Sequence, residues 1–214
     1  MAQLPGKLVV MRHGESTWNA KGEWTGTRDM ALTFKGKREA HMLGEAVAEV
    51  RFDRAYVSQQ QRAKQTLAGV LEASGQPDLP FHVNAAINER DYGIYTGLNK
   101  WETQKRMAPA EFHGVHRGFD YPIPNGERLK DVYERSVPFY REILLPQLAD
   151  GKTLLLVAHG NSIRSLVKYI ESISDKGIAE VEMIFGMVLT YRVDAQGRMT
   201  DKQTVKIDSP APPA

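Results

Sequence analysis

Two histidines in this chain each follow an apolar run and precede a glycine. Residues 8–11 lead into Arg12-His13-Gly14, and residues 153–158 lead into His159-Gly160. Short apolar runs of this kind predict buried strands, and a glycine lets the backbone turn directly after the histidine. Because open α/β sheets bind ligands at the carboxyl ends of their strands, we expect both imidazoles at one edge of one sheet.

His13 has the chemistry of a nucleophile, since a neutral imidazole can carry a transferred group as a covalent intermediate. Taken alone, His13 is more simply a hydrogen-bonded structural histidine, and His159-Gly160-Asn161 an ordinary helix start. Arg12 and Arg62 also follow strand ends, and a guanidinium fork suits phosphate oxygens. Together with the amides of the helix after His159, these residues favour a phosphate pocket over the structural alternatives.

Glu89 is the candidate acid and base. A carboxylate beside a doubly charged phosphate is pushed toward its protonated form, so that it could donate a proton near pH 7. The alternative is a surface glutamate that pairs with Arg90. A second anionic group, such as a carboxylate, could be held by the basic residues Arg90, Lys100, His116 and Arg117, which could otherwise be a scattered basic surface.

The sequence lacks the patterns that are typical of several other chemistries. The chain has no cysteine, which excludes disulfides, thiol catalysis and Cys-ligated metals. No acidic loop indicates a metal site, and no P-loop or dinucleotide-binding turn occurs. A net charge of +2 gives no reason to expect nucleic acid or a membrane as a partner. What remains is phosphoryl transfer through a histidine, without nucleotide or metal.

The length of 214 residues and the apolar content of 42% predict a single domain over residues 1–214. No apolar run approaches membrane-spanning length, and the first seven residues carry no signal-peptide pattern. We therefore expect a soluble, cytoplasmic protein. The Pro/Ala-rich residues 208–214 are expected to form a flexible tail.

Alternating strands and helices predict the fold class. Strands are expected at residues 8–11, 54–57, 85–88, 153–158 and 187–193, with 204–207 beside the last. Helices are expected at 16–19, 33–50, 60–73, 101–107, 127–148 and after residue 159, with a kink at Pro138 and an irregular segment over 109–128. This order predicts an α/β fold, a three-layer α/β/α arrangement around a mostly parallel central sheet.

Arg12-His13-Gly14-Glu15-Ser16-Thr17-Trp18-Asn19 resembles the signature of the histidine phosphatase superfamily, and specifically its cofactor-dependent phosphoglycerate mutases in a short bacterial-type form. The match continues through Thr25-Gly26, Ser58, Arg62-Ala63, and residues 88–93, 97–100 and 158–162. It spans nearly the whole chain. The block from 88 to 100 points to the mutase branch.

The resemblance implies an isomerase of glycolysis and gluconeogenesis that interconverts 3-phosphoglycerate and 2-phosphoglycerate. It implies a phosphohistidine on His13, primed by 2,3-bisphosphoglycerate as cofactor, without a metal. Arg12, Arg62 and His159 would bind the transferring phosphoryl group, and Glu89 would be the general acid/base. The residues that would bind substrate are Asn19, Thr25, Gly26, Arg90, Tyr92, Lys100, His116, Arg117, Gly160 and Asn161. The partners would be these small molecules, with a homodimer or higher homo-oligomer also open.

Some residues depart from the family's pattern. His116-Arg117 stands where two arginines are common, which predicts weaker 3-phosphoglycerate binding or a pH dependence set by His116. Phe185-Gly186 stands where the family often has Thr-Gly, and the tail is short. A cover keeps water off a phosphohistidine, so a reduced cover predicts some phosphatase activity.

Two alternative functions stay open. One is a histidine-type phosphatase acting on small phosphoesters, which His116 and the short tail favour. The other is a non-catalytic phosphate-binding or interaction protein that has kept the fold. The intact set of His13, Arg62, Glu89 and His159 argues against the second alternative.

Overall fold

The computed structural model describes residues 4–208. The expected flexible tail, apart from Asp208, lies outside the described residues. The strands are β1 (Gly6–Arg12), β2 (Arg54–Val57), β3 (Phe81–Val83), β4 (Thr153–Ala158), β5 (Met187–Val193) and β6 (Met199–Lys206). The helices are α1 (Thr17–Ala20), α2 (Phe34–Glu45), α3 (Gln61–Ala73), α4 (Lys100–Arg106), α5 (Pro109–Arg117), α6 (Leu129–Phe139), α7 (Leu145–Ala149) and α8 (Gly160–Ile170). No helix within residues 4–208 is long and apolar enough to cross a membrane.

The strands form one six-stranded sheet in the order β3-β2-β4-β1-β5-β6. The pairs β1–β4, β2–β4 and β2–β3 are parallel, whereas β5 and β6 are added in antiparallel orientation. In the central pair, Arg12 lies opposite Ala158, and the backbone N–H of His13 donates to the Ala158 carbonyl over 3.0 Å. The two histidines therefore leave the same edge of the sheet on neighbouring strands, as predicted.

Helices cover both faces of the sheet, which confirms the predicted three-layer α/β/α fold. Alternate residues of β1 and β4 point to opposite faces. Leu8 and Leu154 lie in a core with α6, α7 and α8, and Val9 and Leu155 lie in a second core with α2 and α3. Both central strands are thus buried on both faces, which explains their continuous apolar runs and fixes the strand ends rigidly.

The strand predicted over residues 85–88 is wrong. Residues Ala85–Ile87 form a 3₁₀ turn, and the side-chain oxygen of Asn84 accepts a hydrogen bond from the Ala86 N–H over 2.8 Å. This local hydrogen bond competes with strand pairing. The edge strand is β3 instead, and all three of its residues are exposed. Without a buried face, β3 had no apolar alternation that could identify it.

The segment 109–128 is not irregular throughout, because α5 occupies Pro109–Arg117. Proline is well suited to the first turn of a helix, where its missing N–H costs nothing. Phe112 and Val115 bury one side of α5 against Trp24. Two buried side chains are too few to produce a clear helical period in the sequence.

Two further helices begin or end at residues other than those predicted. Helix α2 ends at Glu45 rather than near residue 50, and Phe34, which was expected in its buried face, is 67% exposed. The long helix expected from residue 127 begins at Leu129 and contains a π-helical turn at Tyr140–Leu144 before α7. The turn follows Pro138, which lacks the N–H needed to continue the regular hydrogen-bond ladder.

Candidate active site

His13 is 3% exposed at the end of β1. Its Nδ1 lies 2.6 Å from the carbonyl of Gly14, and the Nε of Arg62 donates to its Nε2 over 3.3 Å. A carbonyl only accepts and a guanidinium only donates. Both contacts therefore place the proton on Nδ1 and leave the lone pair on Nε2, the nitrogen next to the arginine.

Close packing explains the glycine after His13. A Cβ on Gly14 would collide with the backbone carbonyl of Gly36 at the start of α2. The turn thus needs a residue without a side chain because helix and turn approach each other, rather than because of a left-handed backbone. The Gly14 N–H donates to the Thr66 hydroxyl on α3 over 3.0 Å, which further fixes the turn that orients the imidazole.

His159, after β4, packs its ring against that of His13 with a centroid distance of 4.9 Å. The Ser58 hydroxyl lies 2.6 Å from its Nε2 and accepts the Gln60 N–H over 3.3 Å. Ser58 can therefore donate its proton to Nε2, which leaves the proton of the neutral imidazole on Nδ1. That Nδ1 is buried and has no hydrogen-bond partner among the described residues.

Two arginines flank the imidazoles. Arg62, in the first turn of α3, also donates to the carbonyls of Arg28 and Gly26 over 2.8 and 2.9 Å, and burial lowers its pKa to about 10. Arg12 donates to the Met183 carbonyl over 2.5 Å, while its Nε is buried without a partner within residues 4–208. Both remain cationic at neutral pH.

Burial lowers the pKa of both His13 and His159 well below the usual histidine range, and the positive charge of Arg62 lowers both further. Neutral imidazoles cost least in a buried site beside guanidinium groups. The imidazole of His13 is consequently uncharged at neutral pH.

Glu89 is 8% exposed between the two strand ends. Its Oε1 accepts from the Arg90 N–H over 2.7 Å, and from the backbone and side-chain nitrogens of Asn161 over 3.3 and 3.0 Å. Gly160 lies close to two charged groups of the site. A Cβ added at Gly160 would stand 3.8 Å from the Oε2 of Glu89 and 3.8 Å from the Cζ of Arg12. The start of α8, predicted to bind an external anion, thus donates to the Glu89 carboxylate through Asn161.

Two adjoining cavities share the side chains of Arg12, Glu89, Tyr92 and Lys100. The inner cavity, about 40 Å³, is also lined by His13, Asn19, Trp24, Thr25, Gly26 and Arg62. The outer cavity, about 180 Å³, is also lined by His116, Arg117, Gly160, Asn161, Arg164, Glu182, Met183 and Ile184. We call them the inner and outer cavities. They form one site with basic side chains at both ends.

The outer cavity has fewer positive charges than its sequence suggested. Burial, followed by the charge of Arg117, lowers the pKa of His116 to about 3. His116 is therefore neutral in the ligand-free protein, and the pH dependence expected from it near neutrality is not supported. Arg117 donates to the Glu182 carboxylate over 2.5 Å, and burial lowers the pKa of Lys100.

Most of the residues predicted for the site line one of the two cavities, but Arg90 and His159 do not. Arg90 is fully buried behind the wall, where it donates to the Val115 carbonyl over 2.8 Å and stacks on the Tyr92 ring at 4.4 Å. It supports Tyr92 from behind. His159 reaches the site through its contact with the His13 ring.

Several residues of the site were not predicted from the sequence. Arg164, one helical turn after Asn161, donates to the Asn161 side-chain oxygen over 3.1 Å and so turns the amide nitrogen toward Glu89. Its spacing of three residues on α8 could have indicated this contact. Gln60 accepts the Glu89 N–H over 2.9 Å. Glu182 lies in an irregular segment, where no pattern could have identified it.

The buried polar atoms of the site suit an anion. The Nε of Arg12, the Nδ1 of His159 and the hydroxyl of Thr25 are buried without hydrogen-bond partners in the described part of the chain. Buried donors are normally satisfied, and an unsatisfied one costs about 1–3 kcal/mol. Residues 4–208 contain no group of three or more His, Cys, Asp or Glu side chains that could hold a metal ion.

The buried histidines should make the protein less stable in mild acid. His13, His116 and His159 stay neutral in the folded state because their pKa values are lowered, whereas in the unfolded chain they bind protons below about pH 6.5. The free energy of unfolding should then fall by up to about 1.4 kcal/mol per pH unit for each histidine below that pH. Urea unfolding at pH 7.5 and 5.5 measures this, and equal stabilities would contradict the lowered pKa values.

A model of the histidine phosphatase superfamily (branch 1) matches residues 8–203. A protein of Rhizobium etli named 2,3-bisphosphoglycerate-dependent phosphoglycerate mutase is 38% identical over 94% of this chain and 97% of its own length. A protein of Methylorubrum populi with the same name is 40% identical over 94% of this chain and 96% of its own length. The crystal structure of a phosphoglycerate mutase from Bacillus anthracis superposes with a TM-score of 0.73 at 25% identity. The superposition covers 93% of this chain and 92% of the other.

Proposed function

Because this chain belongs to branch 1 of the histidine phosphatase superfamily, we propose that it is a 2,3-bisphosphoglycerate-dependent phosphoglycerate mutase. It interconverts 3-phosphoglycerate and 2-phosphoglycerate. The observation that supports this most is the two-ended site, in which His13 lines the inner cavity, Arg117 lines the outer cavity and Lys100 lines both. A phosphate ester with a second anionic group at its other end suits such a site.

The residues present fit 2,3-bisphosphoglycerate, since the unsatisfied buried donors are those that an anion would satisfy. Arg12 and Arg62, together with the unpartnered Nδ1–H of His159, would hold a phosphate beside His13. Lys100 and Arg117 would hold the groups at the other end. When bound, this cofactor supplies the phosphoryl group that makes His13 a phosphohistidine.

His13 is the nucleophile through Nε2, because its Nδ1 proton is committed to the Gly14 carbonyl. As the N–P bond forms, the P–O bond of the phosphate ester breaks, and in the reverse step the N–P bond breaks as a hydroxyl oxygen of the substrate forms the new P–O bond. Arg12, Arg62 and the Nδ1–H of His159 stabilise the negative charge on the oxygens of the phosphoryl group. Phosphoryl transfer depends mainly on such positioning and charge stabilisation.

Glu89 moves the proton. When the substrate hydroxyl attacks the phosphorus of phosphohistidine, Glu89 accepts the hydroxyl proton, most directly at Oε2, since Oε1 already accepts three hydrogen bonds. When His13 takes the phosphoryl group from the other position, Glu89 returns that proton to the departing oxygen. The phosphoryl group ends on the other carbon, and His13 is phosphorylated again.

The direct test follows two products at once. Purified protein is mixed with 3-phosphoglycerate, with and without a trace of 2,3-bisphosphoglycerate, and both 2-phosphoglycerate and free phosphate are measured. We expect 2-phosphoglycerate to form rapidly, to require the trace of bisphosphate, and to exceed free phosphate greatly. Free phosphate without 2-phosphoglycerate would instead identify a phosphatase of small phosphoesters.

His116→Arg should strengthen binding in the outer cavity. His116 is neutral because its pKa is lowered to about 3, so arginine adds a positive charge where the substrate's carboxylate is expected. A charge-assisted hydrogen bond in a half-buried site should lower KM for 3-phosphoglycerate by about three- to tenfold. His113→Arg, on the exposed side of α5, is the control. An unchanged KM in His116→Arg would count against a carboxylate site at this end.

A single-domain organisation, a cytoplasmic location and a homodimer or higher homo-oligomer stay predictions for this protein. Light scattering of the purified chain measures the oligomeric state directly.

A further inference from the structure

We propose that Glu182 is an internal competitor of the substrate: its carboxylate holds Arg117 in the ligand-free protein and thereby limits the affinity of the outer cavity for an anion. The substrate named here rests on the proposed mutase function. The ion pair itself does not, because it is a feature of the ligand-free chain.

The contact places an acid where the substrate's anionic group is expected. Glu182 Oε1 lies 2.5 Å from Arg117 Nη2, and both side chains line the outer cavity. The Arg117 side chain is 24% exposed and that of Glu182 is 59% exposed. The arginine is therefore fixed in the wall, while the glutamate enters the cavity from the solvent side.

Arg12 and Lys100 also line the outer cavity, but they line the inner cavity as well, so the cations that belong to the outer cavity alone are the ones that matter here. His116 is neutral, as described above. The terminal nitrogens of Arg164 donate to the carbonyls of Arg117 and Ile178 over 3.0 and 2.7 Å and to the Asn161 side-chain oxygen over 3.1 Å. Arg117 is thus the cation at this end whose guanidinium is held by a carboxylate, and an incoming carboxylate must share or replace that contact.

The same short segment also contacts Arg12, which lines both cavities. The Met183 carbonyl accepts from Arg12 over 2.5 Å, and the Phe185 ring lies 3.9 Å below the Arg12 guanidinium. These backbone and ring contacts fix the segment, whereas the Glu182 side chain extends beyond them. Glu182 can therefore swing into water without moving Arg12, and since exposed ion pairs are weak, it competes with the substrate rather than blocking it.

The test compares binding, not turnover. Titration calorimetry measures the binding of three anions to the wild-type protein and to Glu182→Gln: inorganic phosphate, 3-phosphoglycerate and 4-phosphonobutyrate. The last is a two-ended anion without a hydroxyl or a phosphate ester. We expect both two-ended anions to bind about three- to tenfold more tightly to Glu182→Gln. The affinity for inorganic phosphate, which has no second anionic group to reach Arg117, should change less than twofold. Glu45→Gln, which removes an exposed carboxylate paired with His41, should match the wild type.

The double variant Glu182→Gln/Arg117→Gln separates competition from a general effect of charge. If Glu182 acts through Arg117, the gain of Glu182→Gln disappears when Arg117 is absent. A gain that persists, an equal gain for inorganic phosphate, or no gain for 4-phosphonobutyrate would each overturn the proposal. A gain for 4-phosphonobutyrate in a protein that forms no 2-phosphoglycerate would overturn the mutase function and leave the role of Glu182 in place.

Discussion

Replacing His13 with asparagine should lower kcat for 3-phosphoglycerate isomerisation by at least about a thousandfold, as expected for removal of a nucleophile. The side chain of asparagine can still fill much of the site, but it has no lone-pair nitrogen to form an N–P bond. The loss should therefore appear in kcat, while the binding of inorganic phosphate changes far less. Rapid-quench phosphorylation with 2,3-bisphosphoglycerate should give no acid-labile phosphoprotein.

His113→Asn is the matched control, because His113 lies on the exposed side of α5 and lines neither cavity. This variant should keep wild-type kcat and phosphorylation. An acid-labile phosphoprotein in His13→Asn would show that another residue is the nucleophile.

Glu89→Gln should lower kcat by about a hundred- to ten-thousandfold, the usual contribution of a general acid/base. Glutamine can still accept at Oε1 the hydrogen bonds from Arg90 and Asn161 that fix the side chain. The fold and the shape of the cavity should therefore survive, and KM should change little. What is lost is the group that accepts and returns the hydroxyl proton.

The pre-steady-state rates of phosphorylation and of transfer to 3-phosphoglycerate both measure this loss, because Glu89 serves both directions. Glu111→Gln, an exposed substitution on α5, is the control and should behave as the wild type. If Glu89→Gln slowed only substrate binding, Glu89 would be a binding residue and the proton would have to pass to another group.

The sequence was most informative where chemistry coincides with a strand end. His13 and His159 could be placed side by side because buried parallel strands have continuous apolar runs and end at one edge. Arg62 could be placed through the same rule applied to β2. The two elements that were not predicted lack such a signal. Strand β3 has no buried face, and α5 buries too few side chains to show a helical period.

The details of the site depended on contacts between distant segments. The pairing of Glu182 with Arg117 joins residues 65 positions apart, and the three hydrogen bonds on Glu89 Oε1 come partly from α8, 72 positions away. The neutral state of His116 also follows from burial, which residue type alone does not reveal. Spacing identified the candidate reacting groups, but only the fold shows which of them are already paired.

The proposed mutase mechanism requires that one phosphoryl group reside on His13 and pass to the substrate rather than to water. The most direct measurement traps the protein after brief exposure to ³²P-labelled 2,3-bisphosphoglycerate, maps the label, and then chases it with unlabelled 3-phosphoglycerate. We predict label on His13 that leaves with the phosphoglycerates at the rate of turnover, with little label in free phosphate. Label on another residue, or label released mainly as inorganic phosphate during the chase, would contradict that mechanism.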